Sequence, residues 1–220
     1  MYESSATADR YNHVARIYEA LSSLYSLGKI RDSKLAELEY IEPGVRVLFV
    51  GAGGGEDAAA AAAKGAEVTA IDLAPAMISR VEAKLRSEGL DVETIVGDVL
   101  DHDRHERYDA VCANYFLNVF NSSVMQTVLE HLVGLVKPGG LLMIADFSNP
   151  RGGRLARGLH VLCVGLANVG FWLLTRNAVH PVYDYRAHGE ALGLTHRETV
   201  LHPLFPGGPT YFQTTVPSQA

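Results

Sequence analysis

Val47-Leu48-Phe49-Val50-Gly51-Ala52-Gly53-Gly54-Gly55-Glu56-Asp57 is the stretch on which the reading of this chain turns. An apolar run ends in a glycine-rich loop, and an alanine-rich run begins at Ala58. The order is strand, tight turn, helix. Glycines in such a turn remove Cβ atoms, so backbone N–H groups at the start of the helix can approach a ligand. A G-x-G-x-x-G dinucleotide loop calls for glycine at position 56, where the chain has Glu56; its own spacing, Gly51, Gly53 and Gly55, is G-x-G-x-G. Glu56 and Asp57 also place two acids where a Rossmann loop holds a pyrophosphate.

Outward from this turn the chain alternates. Apolar runs predict strands over 45–50, 67–71, 92–96, 110–114 and 141–146, and amphipathic spacing predicts helices over 56–64, 76–88 and 122–136. Pro138-Gly139-Gly140 reads as the turn into the fifth strand. Alternation of this kind builds an α/β, Rossmann-like parallel sheet with helices on both faces. Upstream, Tyr11, Val14, Ile17, Tyr18, Leu21 and Leu24 recur at helical spacing, and a second helix is predicted over 29–39. Downstream, 159–174 is strongly apolar, interrupted by His160, Asn168 and two glycines. It is shorter than the roughly 20 residues a membrane-spanning helix needs. A buried cap helix is the expected form, with a membrane-surface or dimer contact as the less favoured alternative. A short helix over 183–192 and two strands over 195–201 and 210–215 follow, the strands as an antiparallel pair at the sheet edge. With neither repeat nor linker in view, the chain reads as one domain, 1–220: a helical cap (1–42), a binding core (43–146), a second cap (147–194) and the strand pair (195–220).

Composition narrows the partners. The 220 residues suit one α/β unit with a full core, and 48% hydrophobic with 20% charged residues is ordinary for a globular chain. A net charge of −6 argues against nucleic acid and, more weakly, against anionic lipid. Cys112 and Cys163 lie in apolar runs without metal-ligand spacing, which reads as buried thiols in a reducing compartment and no metal. The polar start, 1–10, carries no signal-peptide pattern.

A ligand with no phosphate and a cationic centre suits the loop at 51–55, and S-adenosyl-L-methionine, an adenosine, a sulfonium and an amino acid, is such a ligand. The order of motifs resembles the class I S-adenosylmethionine-dependent methyltransferases, in particular their ubiquinone/menaquinone-type small-molecule branch. The resemblance covers about 10–150 and the terminal strand pair. It is carried by 47–55, Ile71-Asp72-Leu73-Ala74-Pro75-Ala76-Met77, Gly97-Asp98-Val99, Tyr108-Asp109-Ala110-Val111, and Leu135-Val136-Lys137-Pro138-Gly139-Gly140. It implies the seven-stranded methyltransferase fold, a cytoplasmic monomer or homodimer, and 147–194 as a cap on the acceptor side.

The resemblance also implies roles. Gly51, Ala52, Gly53 and Gly55 line the cofactor. Asp72, ending the second strand, is placed to accept from both ribose hydroxyls; an N-cap of the next helix is its plain alternative. Leu73 and Met77 flank the adenine or pack as core. Asp98 accepts from the adenine amino group and Val99 offers a backbone contact. Asp109 reads as a structural acid at a strand start. Tyr11 and Tyr18 close over the cofactor or pack on the sheet. One departure stands at the centre: the family carries an acid where this chain has Phe49, so Glu56 or Asp57 replaces it, or backbone and water hold the methionine tail.

Ligands bind parallel α/β sheets beyond the carboxyl ends of the strands. Asn114-Tyr115-Phe116 ends the fourth strand and is expected to face the transferred methyl; Asp146-Phe147 ends the fifth. Methyl transfer is an in-line displacement that needs alignment more than strong acid catalysis, with a base helping a phenol or ring-carbon nucleophile. Candidate bases are His180, His13, Asp146 and Tyr11, and the catalytic set carried forward is His180, Tyr115 and Asp146. An apolar, aromatic pocket implies a small lipophilic acceptor. The alternatives are a phospholipid amine N-methyltransferase, a nicotinamide dehydrogenase, which Glu56 disfavours, and a catalytically altered or non-catalytic relative, which Phe49 favours.

Overall fold

Five strands run parallel through the middle of the sheet: β1 (Arg46–Val50), β2 (Glu67–Asp72), β3 (Glu93–Val96), β4 (Tyr108–Ala113) and β5 (Val136–Phe147). The structure is a computed structural model and describes residues 26, 28–148, 158, 182–203 and 210–219. Tyr11, His13, Tyr18, Cys163, His180 and the apolar segment 159–174 lie outside the described residues. The helices are α1 (Lys29–Leu35), α2 (Glu56–Ala63), α3 (Pro75–Glu88), α4 (Ser122–Leu135) and α5 (Tyr185–Ala191). Two further strands, β6 (Thr195–Pro203) and β7 (Thr210–Ser218), complete a seven-stranded sheet of order β3-β2-β1-β4-β5-β7-β6.

Val47, Leu48, Phe49 and Val50 are all at most 2% exposed, as a strand covered on both faces requires. Side chains alternate across it. Leu48 and Val50 join Val111, Leu142, Ile144 and the buried stripe of α4, whereas Val47 and Phe49 join Val68, Cys112, Met143 and the small residues Ala58 and Ala61 of α2. The sheet therefore divides the core in two. Alanines let α2 lie close to the strands, and Gly55 lets it start against α3, where a Cβ would come within 3.0 Å of Val81.

Two expectations change in detail. The helix foreseen over 29–39 is α1 followed by a 3-10 turn, Ala36–Tyr40, and its buried side chains include the polar Ser33 and Glu37. The terminal strands form the expected antiparallel pair at the sheet edge, with β7 against β5 and β6 outermost. Pro138-Gly139-Gly140 is not a turn before the fifth strand but a bulge inside it. Tyr108 pairs with Val136 and Ala110 already with Leu141, so four residues of β5 stand opposite the single residue Asp109. Asp109 fastens this bulge, accepting from Lys137 Nζ at 2.7 Å and from Arg46 N at 2.8 Å, the structural role expected for it. Helix α5 starts at Tyr185, capped by Asp184, which accepts from Ala187 N at 3.1 Å.

The two bulge glycines are needed for different reasons. Gly139 has φ +76° with open space around its Cβ position, whereas a Cβ on Gly140 would lie 2.7 Å from Val136 and 2.8 Å from the carbonyl of Asp109. Gly139→Ala is expected to cost about 1 kcal/mol in backbone strain, and Gly140→Ala about 3 kcal/mol in overpacking against atoms that cannot turn aside. Urea denaturation of the two variants checks this ordering; equal losses would contradict it.

Candidate active site

The loop after β1 turns through left-handed backbone, with φ +65° at Gly51, +52° at Gly53 and +74° at Gly55. Gly51 is also held by contact: a Cβ there would lie 2.5 Å from the ring of Phe116. Gly53 is different. A Cβ would meet nothing closer than the Gly51 carbonyl at 3.8 Å, so the space beside it is open. Asp72, at the end of β2, ties the loop down: Oδ2 accepts from Gly53 N at 3.3 Å and Oδ1 from Ala74 N at 2.9 Å. Burial raises its pKa against these two backbone bonds, which act to lower it. The N-cap position of α3 is Ala74, so the capping alternative for Asp72 is not the arrangement found.

Beside Asp72 lies an apolar rim unusual for a surface. Leu73, Val96 and Leu100 are 40%, 52% and 40% exposed, at the carboxyl ends of β2 and β3. Asp98 is exposed among them and accepts from Leu100 N at 3.0 Å, so its carboxylate shapes the turn that follows β3. Val99 and Met77 point inward and are buried, as is Ala52. An open glycine cradle, a carboxylate at the strand end and exposed apolar walls fit an adenosine, whose ribose needs an acceptor and whose base needs flat apolar contact.

At the end of β4 the three consecutive side chains expected to face the methyl go three different ways. Phe116 lies on Gly51 and meets Phe120 edge to face at 5.2 Å. Tyr115 has φ +51°, an unusual value for a residue with a side chain, and its N–H donates to Ala145 O at 2.8 Å. Its hydroxyl is 2.8 Å from Ser33 Oγ on α1, and its ring meets Phe147 edge to face at 5.6 Å and Phe212 at 6.5 Å. Asn114 is buried, and its amide is fully used: Nδ2 donates to Glu37 Oε2 at 3.0 Å and to Asp57 Oδ2 at 2.9 Å, and Oδ1 accepts from Ala145 N at 3.2 Å.

Around Asn114 a polar cluster lies inside the protein. Glu37 is 1% and Asp57 4% exposed. Lys34 Nζ is 3.7 Å from Asp57, while at the surface Arg31 faces Glu56 at 3.4 Å. Both acids of the loop-to-helix junction are thus met by cations of α1, and the repulsion toward a pyrophosphate suggested by the bare sequence is largely cancelled. Asp57 is engaged with Asn114 and Lys34 rather than free for a ligand. Burial pushes Glu37 up to about 8, so it carries a proton at neutral pH; nearby Asp57 acts in the same direction. Ser33, Lys34 and Glu37 were not anticipated. Nothing in their spacing marks them, because a short helix with a polar buried face carries no amphipathic signal.

Asp146 ends β5 at 2% exposure. Oδ1 accepts from Asn118 Nδ2 and from Phe147 N, both at 2.7 Å, and Oδ2 accepts from the Tyr185 hydroxyl. Burial pushes it up to about 6 in spite of these donors. Tyr185 was not foreseen as its partner. The third catalytic candidate, His180, lies outside the described residues.

Comparison with known proteins agrees with this geometry. The family described as "Methyltransferase domain" matches residues 47–140. The demethylmenaquinone methyltransferase of Clavibacter sepedonicus is 29% identical over 178 residues, covering 80% of this chain and 71% of that protein. The corresponding enzyme of Beutenbergia cavernae is 32% identical over 146 residues, covering 65% of this chain but 58% of its own length. In fold, the chain is similar to the 1,6-didemethyltoxoflavin-N1-methyltransferase of Burkholderia thailandensis, solved with 1,6-didemethyltoxoflavin and S-adenosylhomocysteine bound: TM-score 0.69, 18% identity, 98% of this chain and 88% of that one. In its motifs, its fold and these relatives the chain resembles the class I S-adenosylmethionine-dependent methyltransferases. The open space beside Gly53 and the carboxylate of Asp72 are of a kind that suits the ribose of S-adenosylmethionine.

The buried Glu37 gives a pH signature. The unfolded chain releases this proton near 4.5 and the folded one near 8, so the folded state holds more protons between these values. Stability contributed by this group therefore falls as pH rises through that window, by about 1.4 kcal/mol per pH unit at most. Glu37→Gln mimics the protonated form and lacks the effect. Its stability relative to the parent, from denaturant titrations, is expected to climb from pH 4.5 to 8 and level off above; a constant difference would contradict this.

Proposed function

We propose that this chain methylates a small, lipophilic aromatic acceptor of the quinol kind, with the whole chain, 1–220, as the working unit. The observation that carries the acceptor reading is the aromatic group at the carboxyl ends of β4 and β5: Tyr115, Phe116, Phe120 and Phe147, joined by Phe212 of β7. Of these rings, Phe116 lies against the glycine loop at Gly51. Flat apolar acceptors pack well against edge-to-face aromatic sets. Similarity to demethylmenaquinone methyltransferases supports the same class.

S-adenosylmethionine supplies a methyl made electrophilic by the attached sulfonium. The chain's own work is to align and to dry the site. Asp72, which accepts from Gly53 N, would hold the ribose, and Leu73 and Leu100 would flank the adenine with Asp98 at its edge. Asn114, through its backbone, and Phe116 would border the reacting end, where transfer requires an acceptor carbon or oxygen in line with the bond that breaks. The acceptor's proton has two candidate destinations. Asp146, raised toward neutrality and backed by Tyr185, is one; His180 is the other. Tyr115, pinned to Ser33, orients the acceptor ring. Tyr11, Tyr18 and the segment 159–174 are assigned to closure over the cofactor and acceptor. The net charge of −6 fits a cytoplasmic enzyme, monomer or homodimer, acting on a small molecule rather than on nucleic acid, with any membrane contact confined to collecting the acceptor. Among the described residues no helix is long and apolar enough to cross a membrane.

Transfer of label from methyl-labelled S-adenosylmethionine to a reduced demethylnaphthoquinone, recovered in organic solvent, tests the reaction; no labelled product across hydroquinone and naphthoquinol acceptors would overturn the acceptor class. For the cofactor, Asp72→Ala is expected to weaken S-adenosylhomocysteine by about 1.5–3 kcal/mol, the range for losing a charged acceptor. Gly53→Val is expected to abolish binding by filling the open space of the cradle. Calorimetric titration reads both, and unchanged affinity in Asp72→Ala would remove that residue from the site.

A further inference from the structure

Glu37 reaches the site from outside the sheet. It sits on the 3-10 turn Ala36–Tyr40, yet its Oε2 accepts from Asn114 and the Cys112 thiol lies beside it. Cys112 pairs in register with Phe49, the position where the resembling family carries its strand acid. On this face of the sheet β1 therefore offers only a phenyl ring, and carboxyl groups arrive instead from the N-terminal segment, as Glu37, and from α2, as Asp57.

The groups facing Glu37 are Asp57 from α2, Lys34 from α1, Asn114 after β4 and Cys112 on β4. Asp57 raises the proton affinity of Glu37 and Lys34 lowers it. Oε1 of Glu37 is buried with no hydrogen-bond partner. An ionised Glu37 would be an anion whose donors are one amide, shared with another carboxylate, and the weakly donating Cys112 thiol. Such an arrangement does not hold in a dry interior. Ionisation must pull Glu37 away from Asn114 or admit water.

The consequence travels through a short chain of contacts. Asn114 Oδ1 accepts from Ala145 N, and Tyr115 N donates back to Ala145 O, so the end of β4 is clipped to β5 on both sides of one residue. Phe116, next in sequence, covers Gly51. We propose that Glu37 is a positioning residue for cofactor binding, holding Asn114 and thereby the 114–116 turn against the glycine loop. The proposal rests on the reading that this loop binds S-adenosylmethionine. Glu37 need not touch the cofactor. It makes the N-terminal segment a part of the cofactor site whose fit is lost in alkali.

The test is calorimetric titration of S-adenosylhomocysteine at pH values on both sides of 8. The parent protein is expected to bind evenly below this pH and to lose affinity above it, by up to about tenfold per pH unit, the limit for one proton. Glu37→Gln is expected to keep the neutral-pH affinity and to lose that part of the alkaline fall. The ligand's own amino group titrates alike in both, so the difference between the two profiles reports Glu37. Glu37→Ala is expected to bind weakly at every pH. If the parent and Glu37→Gln share one profile while both bind and stay folded, the proposal is overturned and the cofactor reading stands. If the parent binds no S-adenosylhomocysteine at any pH, the cofactor reading falls and takes the proposal with it. Should Glu37→Gln fail to fold, infrared difference spectra of the parent decide: a protonated carboxyl band lost at the midpoint of the affinity loss supports the proposal, and no such band, or one with a different midpoint, refutes it.

Discussion

The amide of Asn114 is the point on which the carboxyl edge of this sheet depends. One side chain with two N–H groups and one carbonyl meets two carboxyl groups and a strand N–H, and every one of these partners comes from a different element. The constraint is severe because the site is buried. A polar group there has no water to fall back on, so each donor must find its acceptor in the protein. The arrangement fixes Glu37 of the N-terminal segment, Asp57 of α2 and Ala145 of β5 in one stroke, and the turn that follows β4 inherits their geometry.

Neighbouring contacts repeat the same logic more loosely. Ser33 faces the Tyr115 hydroxyl, and its carbonyl accepts from Thr214 Oγ1 at 2.6 Å. Asp146 gathers three donors at the end of β5. The carboxyl edge of the sheet thus combines buried polar groups with a set of rings, whereas the middle of the sheet is held by apolar packing, Phe49 and Tyr108 included. On the proposed reading, a reaction that needs alignment benefits from this division, with hydrogen bonds setting positions and rings excluding water.

The parts legible in the sequence were those with a strong repeating signal. The glycine loop, the five parallel strands and helices α2 to α4 follow from apolar runs and helical spacing, and Asp72 follows from its place at a strand end. The acids replacing the one lost at Phe49 were anticipated only in part, since Asp57 was named and Glu37 was not. Glu37 and Ser33 lie on the buried face of a short helical segment, where the usual contrast between apolar and polar faces is absent. The Pro-Gly-Gly motif was recognisable as irregular backbone, but whether it turns the chain or bulges within a strand depends on the pairing of Tyr108 and Ala110 with β5, a long-range matter. The place of β7 between β5 and β6 has the same origin: local sequence specifies strands, and their neighbours are chosen by the whole sheet.

The bond between Thr214 and Ser33 joins residues 181 apart in the chain. It ties α1, which carries Lys34 and leads into Glu37, to a strand formed near the other end. As the chain leaves the ribosome, the five parallel strands have all emerged before β7 exists. Contacts between distant residues form late because closing long loops is entropically costly. Helix α1 must therefore wait for a residue 181 positions further along before its docking surface is complete. A nascent chain halted before β7 would hold the glycine loop and Asp72 yet lack the partner that seats Ser33, so the order of synthesis itself delays the moment at which α1 and Glu37 are seated against Asn114.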